Sequence, residues 1–134
     1  MPQVKRVLIV DDHAPLRSTL KEFFERRGFE VDSTGEQGHA ESLLAASRYA
    51  AAVIDLSLSG SGGREGLELL ELTRLVCPAT RAVLLTSNAG PRERAEALRR
   101  GAAAFLTKPV PQAELLDAIQ GTPPAAPRSF EGEP

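Results

Sequence analysis

The sequence has little cysteine, no long apolar segment and no block of charges of one sign. Its single cysteine, Cys77, excludes an internal disulfide and is typical of a protein in a reducing compartment. No early segment has the apolar core of a signal peptide, and no apolar run approaches the length of a membrane span. We therefore expect a soluble cytoplasmic protein with no membrane partner.

The charges are nearly balanced, with a formal net charge of −2 at pH 7, so composition gives no sign of a nucleic-acid partner. The densest basic group is interleaved with glutamates: Arg92, Glu93, Arg94, Glu96, Arg99 and Arg100. Such alternation is typical of a solvated helix face rather than of a surface that binds phosphate backbones. We expect no direct binding to nucleic acid.

The chain is long enough for one domain with a real core, since it has 134 residues of which 42% are hydrophobic. Residues 121–134 differ from the rest, with four prolines, two glycines and Phe130 as their one large apolar residue. We expect a folded domain over residues 1–120, followed over 121–134 by a disordered proline-rich tail or a truncated linker.

Short strand-like apolar runs alternate with longer helical patterns along the chain. Strands are predicted over residues 7–10, 29–33, 50–56, 81–86 and 103–107, and helices over 15–27, 36–47, 67–76, 91–100 and 112–120. This alternation predicts an α/β fold, a doubly wound parallel sheet of five strands with five helices covering its two faces.

Polar residues follow the strands at one edge of this predicted sheet. Asp11 and Asp12 follow the first strand, Asp55 closes the third, Thr86 closes the fourth and Lys108 follows the fifth. The carboxyl ends of parallel strands meet at one edge, which is where such folds place their working site. For the two adjacent aspartates alone, an alternative is that they open the next helix. Asp55 at the same edge favours a shared site.

Three carboxylates at one edge would repel one another unless a cation or a proton relieved them. A hard divalent ion such as Mg²⁺, together with the Lys108 ammonium, would do so and leave room for an incoming dianion. This chemistry indicates phosphoryl transfer to a carboxylate, with Asp55 as the nucleophile because it comes from a central strand. Thr86 would donate a hydrogen bond to a phosphoryl oxygen; the alternative is an ordinary turn residue.

The segments that carry these residues resemble the receiver domain of bacterial response regulators: Val10-Asp11-Asp12, Asp55, Leu85-Thr86-Ser87 and Lys108-Pro109. The resemblance covers residues 4 to about 120 and implies the flavodoxin-like receiver fold in a single-domain form. It also implies that Asp55 accepts a phosphoryl group from a phosphohistidine on a sensor histidine kinase or a histidine phosphotransfer protein.

The same resemblance implies a divalent metal, Mg²⁺ or Mn²⁺, beside the phosphoacceptor. Asp12 would ligate it directly and Asp11 mainly through water. Asp55 and the backbone carbonyl of Ser57 would complete the protein ligands.

The resemblance further implies a switch that responds to phosphorylation. Thr86 and Lys108 would contact the phosphoryl oxygens after transfer. Phe105 stands where the family has a switching aromatic, although a plain core aromatic is the alternative. An unknown downstream protein would dock on the face formed by the fourth helix, fifth strand and fifth helix.

The chain departs from the family pattern after Asp55. Ser59 stands at the usual proline position, and the helix start at Gly66 comes about three residues late, so residues 59–65 should form a longer, more mobile loop. An alternative interpretation of these glycines is a phosphate-binding P-loop, but they lack its Gly-Lys-Ser/Thr ending. Ser57 and Asn88 stand where the family tunes the lifetime of the acyl phosphate.

We therefore predict a phosphorylation-controlled binding module rather than an enzyme with a separate substrate. One alternative is a receiver-like interaction module that is never phosphorylated, which the altered loop leaves open. Another is an aspartyl-nucleophile phosphatase of the haloacid-dehalogenase kind. Those enzymes need Asp-x-Asp after the first strand and a cap, whereas Asp11 and Asp12 are adjacent and the chain has no room for a cap.

Overall fold

A computed structural model describes residues 5–56, 58, 64–87 and 90–121 of the chain. Strands and helices alternate along it, as the sequence predicted. The strands are β1 (Arg6–Val10), β2 (Glu30–Thr34), β3 (Ala51–Asp55), β4 (Arg81–Thr86) and β5 (Ala104–Thr107). The helices are α1 (Ala14–Glu25), α2 (Gln37–Ala46), α3 (Arg64–Val76), α4 (Pro91–Arg99) and α5 (Gln112–Gln120).

The five strands form one parallel sheet in the order β2-β1-β3-β4-β5. This confirms the predicted doubly wound architecture. Val10 of β1 lies opposite Ile54 of β3, and Ile54 lies opposite Leu84 of β4. Because these strands are in register, the residues that end or follow them emerge together at the carboxyl edge of the sheet.

The sheet is covered on both faces, and alternate residues of β1 supply the two cores. Leu8 and Val10 pack in the core formed with α2, α3 and α4, whereas Val7 and Ile9 pack in the core formed with α1 and α5. Each such aliphatic side chain contributes about 1.5–3 kcal/mol when fully buried. Burial on both sides explains why the central strands read as continuous apolar runs.

The third helix begins earlier than the sequence predicted, at Arg64 rather than at residue 67. Gly66 lies in its first turn, where a Cβ atom would stand 2.8 Å from the Cα of Leu56 and 3.1 Å from the carbonyl oxygen of Asp55. The glycine therefore lets the start of α3 approach the end of β3, which a helix-propensity argument does not anticipate.

The connection between β3 and α3 is anchored at Leu58, whose side chain is completely buried in the core under α2, α3 and α4. The predicted mobility of this longer loop falls on residues 59–63, which lie outside the described part of the chain. Because α3 takes up Arg64 and Glu65, the connection is shorter than the sequence predicted.

The described helices are short, α3 being the longest at 13 residues. None of them is both long and apolar enough to cross a membrane.

Candidate functional site

Three carboxylates meet at the carboxyl edge of the sheet, as the sequence predicted. Asp11, Asp12 and Asp55 each offer an oxygen, and these oxygens can lie within 4.8 Å of one another. Asp11 and Asp55 are buried, with 1% and 4% of their surface exposed, whereas Asp12 is exposed. The neighbouring positions of β1 and β3 in the sheet produce this convergence, although 44 positions separate Asp11 from Asp55 in sequence (55 − 11).

Lys108 supplies an ammonium group to the same place. Its Nζ lies 2.9 Å from Oδ2 of Asp11 and 3.5 Å from Oδ2 of Asp55. Burial alone would lower the pKa of Lys108, but hydrogen bonds to Asp11 and Asp55 and their charges outweigh it, so its pKa is raised. The amine therefore stays protonated at neutral pH. We call Asp11, Asp12, Asp55 and Lys108 the acidic pocket.

Asp11 is held at each of its polar groups. Its Oδ1 accepts from the backbone N–H of His13 at 2.9 Å, and its own N–H donates to the carbonyl of Thr34 at 3.0 Å. Its carbonyl accepts from Nη1 of Arg17 at 2.6 Å. The residue that caps α1 is His13. Asp11 thus fixes the turn before the helix, and it is not the helix-opening residue of the alternative interpretation.

Thr86 and Phe105 are both buried close to this edge. Thr86 ends β4, beside the strand that carries Asp55. Thr86 and Phe105 are each 2% exposed. Phe105 packs in the core under α2, α3 and α4, and Nη1 of Arg94 donates to its carbonyl at 3.0 Å. This burial suits a core aromatic and equally the inward position of a switching aromatic.

An apolar cavity of about 440 Å³ lies between α1 and α5 and adjoins the acidic pocket through Lys108. His13 and Ser87 supply the rest of its polar wall. Its apolar wall consists of Leu16, Leu20, Leu85, Pro109, Val110 and Leu115. Sequence reasoning missed this cavity because it depends on how closely two helices distant in sequence pack.

Some predicted contributions to the site cannot be placed. The carbonyl ligand assigned to Ser57 and the tuning roles of Ser57 and Asn88 fall outside the described residues. Sequence reasoning also missed Arg17. A single basic residue in an amphipathic helix carries no sequence signal that marks it as part of a site.

The donor set of the acidic pocket fits a hard divalent cation. It consists of carboxylate oxygens from two adjacent strands, and two of the three acids are buried. Within the described residues, Lys108 is the ammonium in ion-pair contact with these acids. Three carboxylates against one ammonium leave a surplus of negative charge, which a divalent ion would neutralise.

Comparison with protein families gives a match over residues 7–120 to the model described as "Response regulator receiver domain". Protein PetR of Rhodobacter capsulatus is 38% identical over 112 residues, which cover 82% of this chain and 45% of that protein. The two-component response regulator PprB of Pseudomonas aeruginosa is 34% identical over 118 residues, covering 85% of this chain and 42% of its own length. This chain thus spans less than half of these curated relatives.

Solved structures give the same likeness in three dimensions. A CheY-like response regulator receiver domain protein from Methanospirillum hungatei has a TM-score of 0.80 and 28% identity, covering 89% of this chain and 93% of that one. A response regulator from Burkholderia pseudomallei has a TM-score of 0.79 and 29% identity, covering 87% of this chain and 66% of that one. The latter structure is described as having a phosphorylated aspartic acid, a calcium ion and citrate.

Proposed function

This chain belongs to the response regulator receiver domain family of two-component signalling, and from that premise we propose that Asp55 is its phosphoacceptor. The observation that carries the proposal is the convergence of three carboxylates and the Lys108 ammonium in one pocket. Asp55 is the buried acid of a central strand, and its partner Lys108 is placed to offset charge on an arriving phosphoryl group.

In the proposed reaction, a carboxylate oxygen of Asp55 attacks the phosphorus of a phosphohistidine. The new P–O bond forms as the P–N bond breaks, and the electron pair of that bond stays on the imidazole, which takes up a proton. Lys108 and the Thr86 hydroxyl are proposed to donate to the phosphoryl oxygens afterwards. Thr86 ends β4, which borders β3, and Lys108 follows β5, which borders β4, so both positions suit contacts to a group on Asp55.

We propose that the pocket takes Mg²⁺ or Mn²⁺, which when bound neutralises charge on the transferring group. Asp12 would be the direct ligand beside Asp55, because it is exposed at the mouth of the pocket. Asp11 would act mainly through water, since its two oxygens already accept from Lys108 and from the N–H of His13. The carbonyl of Ser57 is proposed as the remaining protein ligand.

The phosphodonor is proposed to be a sensor histidine kinase or a histidine phosphotransfer protein. The apolar cavity between α1 and α5 supports this, because it adjoins Lys108 and is large enough for an apolar side chain of a donor helix. Anchoring there would bring a neighbouring phosphohistidine to the carboxyl edge of the sheet. Leu16→Asp should therefore slow transfer from the protein donor and leave phosphorylation by a small donor intact.

The downstream partner is proposed to dock on α4, β5 and α5. Arg94 of α4 donates to the carbonyl of Phe105, so a movement of Phe105 would change the contact that holds α4 to β5. Leu98 of α4 is 45% exposed, and β5 carries no acidic residue.

The experiment is incubation of the protein with a divalent ion and acetyl phosphate, followed by intact mass measurement. We expect a gain of one phosphoryl group, stable in acid and labile in base, that is absent in Asp55→Asn. Asp117→Asn on α5 is the matched control and should retain the adduct. No adduct with any donor would identify an interaction module that is not phosphorylated, and repeated turnover of an unrelated phosphoester would identify a phosphatase.

A further inference from the structure

Arg17 lies against the main chain of the acidic pocket rather than against its carboxylates. It is half-buried in the first turns of α1, and its Nη1 donates to the carbonyl oxygen of Asp11 at 2.6 Å. Helical side chains lean toward the helix N-terminus, so a residue at this position reaches back over the turn that precedes α1. The contact therefore joins the helix to the peptide group between Asp11 and Asp12.

Gly35 packs against Arg17 and against the backbone of Asp11 and Asp12. A Cβ atom at Gly35 would stand 2.8 Å from Nη1 of Arg17, 3.3 Å from the Cα of Asp12 and 3.5 Å from the carbonyl oxygen of Asp11. The residue before it, Thr34, accepts the N–H of Asp11. The absence of a side chain at residue 35 thus makes room for the guanidinium behind the two aspartates.

The hydrogen bond from Arg17 bears on Asp11 and Asp12 at different places. The side chain of Asp11 is also held by Lys108 and by the N–H of His13. Asp12 is exposed, and the peptide group that precedes it is the one whose carbonyl oxygen accepts from Arg17. Hydrogen bonds from charged donors are stronger than neutral ones, so one guanidinium can fix that peptide.

We propose that Arg17 is a positioning residue for divalent-ion binding: by holding the Asp11 carbonyl it aims the carboxylate of Asp12 into the pocket. This inference rests on the proposed function of the pocket. It goes beyond it because Arg17 contacts a main-chain carbonyl and its guanidinium, which only donates, offers no ligand atom to a cation. Groups that orient metal ligands in this way typically change metal affinity by about 10–100-fold when they are removed.

The test is a calorimetric titration of Mn²⁺ into the wild type and four variants. Arg17→Met keeps the length of the side chain but cannot donate, and we expect it to weaken binding by about 10-fold. Arg17→Lys can still donate to the carbonyl and should recover most of the affinity. Gly35→Ala places a Cβ 2.8 Å from Nη1 and 3.3 Å from the Cα of Asp12, so it crowds both and should weaken binding at least as much as Arg17→Met does. Arg26→Ala, at the C-cap of the same helix and with the same change in charge, should bind as the wild type.

A second readout needs no metal. The backbone amide resonance of Asp12 in the metal-free protein should shift in Arg17→Met and return toward its wild-type position in Arg17→Lys. Thermal unfolding shows whether each variant is folded at the temperature of the titration.

The inference is overturned if Arg17→Met binds Mn²⁺ as tightly as the wild type. It is overturned equally by tighter binding, which is what loss of a nearby positive charge alone would produce. Equal weakening in the Lys and Met variants would also exclude the hydrogen bond as the cause. Failure of the proposed function looks different, because the wild type itself would then bind no Mn²⁺ and form no adduct.

Discussion

The molecule has two clusters of acidic and basic side chains that are built in opposite ways. In the acidic pocket, Asp11 and Asp55 are buried and Lys108 is 21% exposed at its side chain. The second cluster joins α3 to α4 on the surface, with side chains that are 35–67% exposed: Glu71, Glu96, Arg99 and Arg100. We call it the α3–α4 cluster.

The charge balance of the two clusters differs as much as their burial. The α3–α4 cluster has two acids and two guanidinium groups, in contacts of Glu96 with Arg99 and Arg100 and of Glu71 with Arg100. Within the described residues, the acidic pocket has three carboxylates and one ammonium, which contacts Asp11 and Asp55. Balanced exposed pairs contribute little to stability, whereas a buried surplus of one sign destabilises the fold until a ligand relieves it. The difference separates a solvated surface from a candidate binding site.

Among substitutions in the two clusters, Lys108→Met should change the free energy of unfolding the most. It leaves Asp11 and Asp55 buried without their shared ammonium, and breaking a buried pair in this way costs about 3 kcal/mol. We expect a large fall in the free energy of unfolding, measured with urea in a chelator at neutral pH.

The control for this variant is a divalent ion. Mg²⁺ should stabilise Lys108→Met against urea more than it stabilises the wild type, because it supplies the missing positive charge. A variant as stable as the wild type in the chelator would show that the pocket does not hold an uncompensated surplus of negative charge.

A smaller effect, of opposite sign, is expected from Asp12→Asn. It removes one negative charge from the surplus without changing the shape of the side chain. Residues held in a site for function commonly lower stability, and removing this one should stabilise the metal-free protein by about 1 kcal/mol. The same variant should lose the stabilisation that Mg²⁺ gives the wild type. Both quantities come from urea unfolding with and without Mg²⁺.

Glu22→Gln on α1 is the matched control for Asp12→Asn, because it removes one exposed carboxylate from outside the pocket. It should leave the response to Mg²⁺ unchanged. Destabilisation of the metal-free protein by Asp12→Asn would contradict the view that repulsion among the three carboxylates is present in the fold.

The dependence of folding stability on alkaline pH should also distinguish the acidic pocket from the α3–α4 cluster. The pKa of Lys108 is raised above its ordinary value of 10.5. Its contribution is therefore complete below that ordinary value and is lost as pH rises through the raised pKa of the folded protein. The pKa of Tyr49 is also raised, by burial and by its hydrogen bond to Asp32, so Tyr49 would contribute its own alkaline change in stability. The comparison is best made between Tyr49→Phe and Tyr49→Phe/Lys108→Met.

In that background, the protein that keeps Lys108 should lose stability more steeply above the ordinary lysine pKa than the protein that lacks it. Parallel pH profiles for the two would mean that the ion pairs of Lys108 with Asp11 and Asp55 do not contribute to folding.

The acidic pocket could be predicted from sequence because its residues are tied to the ends of apolar runs. Asp11, Asp55 and Thr86 come at the carboxyl ends of strands whose burial their composition already indicated. Parallel pairing then brings those ends together whatever lies between them in the chain. Lys108 was predicted for the same reason.

The supports of the pocket could not be predicted in this way, because their contacts are with main chain. Arg17 contacts a carbonyl, Gly35 matters for the atom it lacks, and Gly66 lets α3 begin near Leu56. Leu58, in a segment that reads as a glycine- and serine-rich loop, is buried in the core. Such contacts depend on distances between elements that no periodicity encodes.

The smallest effect in the comparison should come from breaking the α3–α4 cluster. Hydrogen bonds to Arg100 and Arg99 lower the pKa of Glu96, so any stability it gives is present above its ordinary pKa and is lost as pH falls through the lowered value. These side chains remain in water, where solvent and salt screen the attraction and ordering long side chains costs entropy. Glu96→Gln should therefore leave the midpoint of thermal unfolding within error at neutral pH and moderate salt. A fall comparable to that of Lys108→Met would mean that charge balance and exposure do not separate the two clusters.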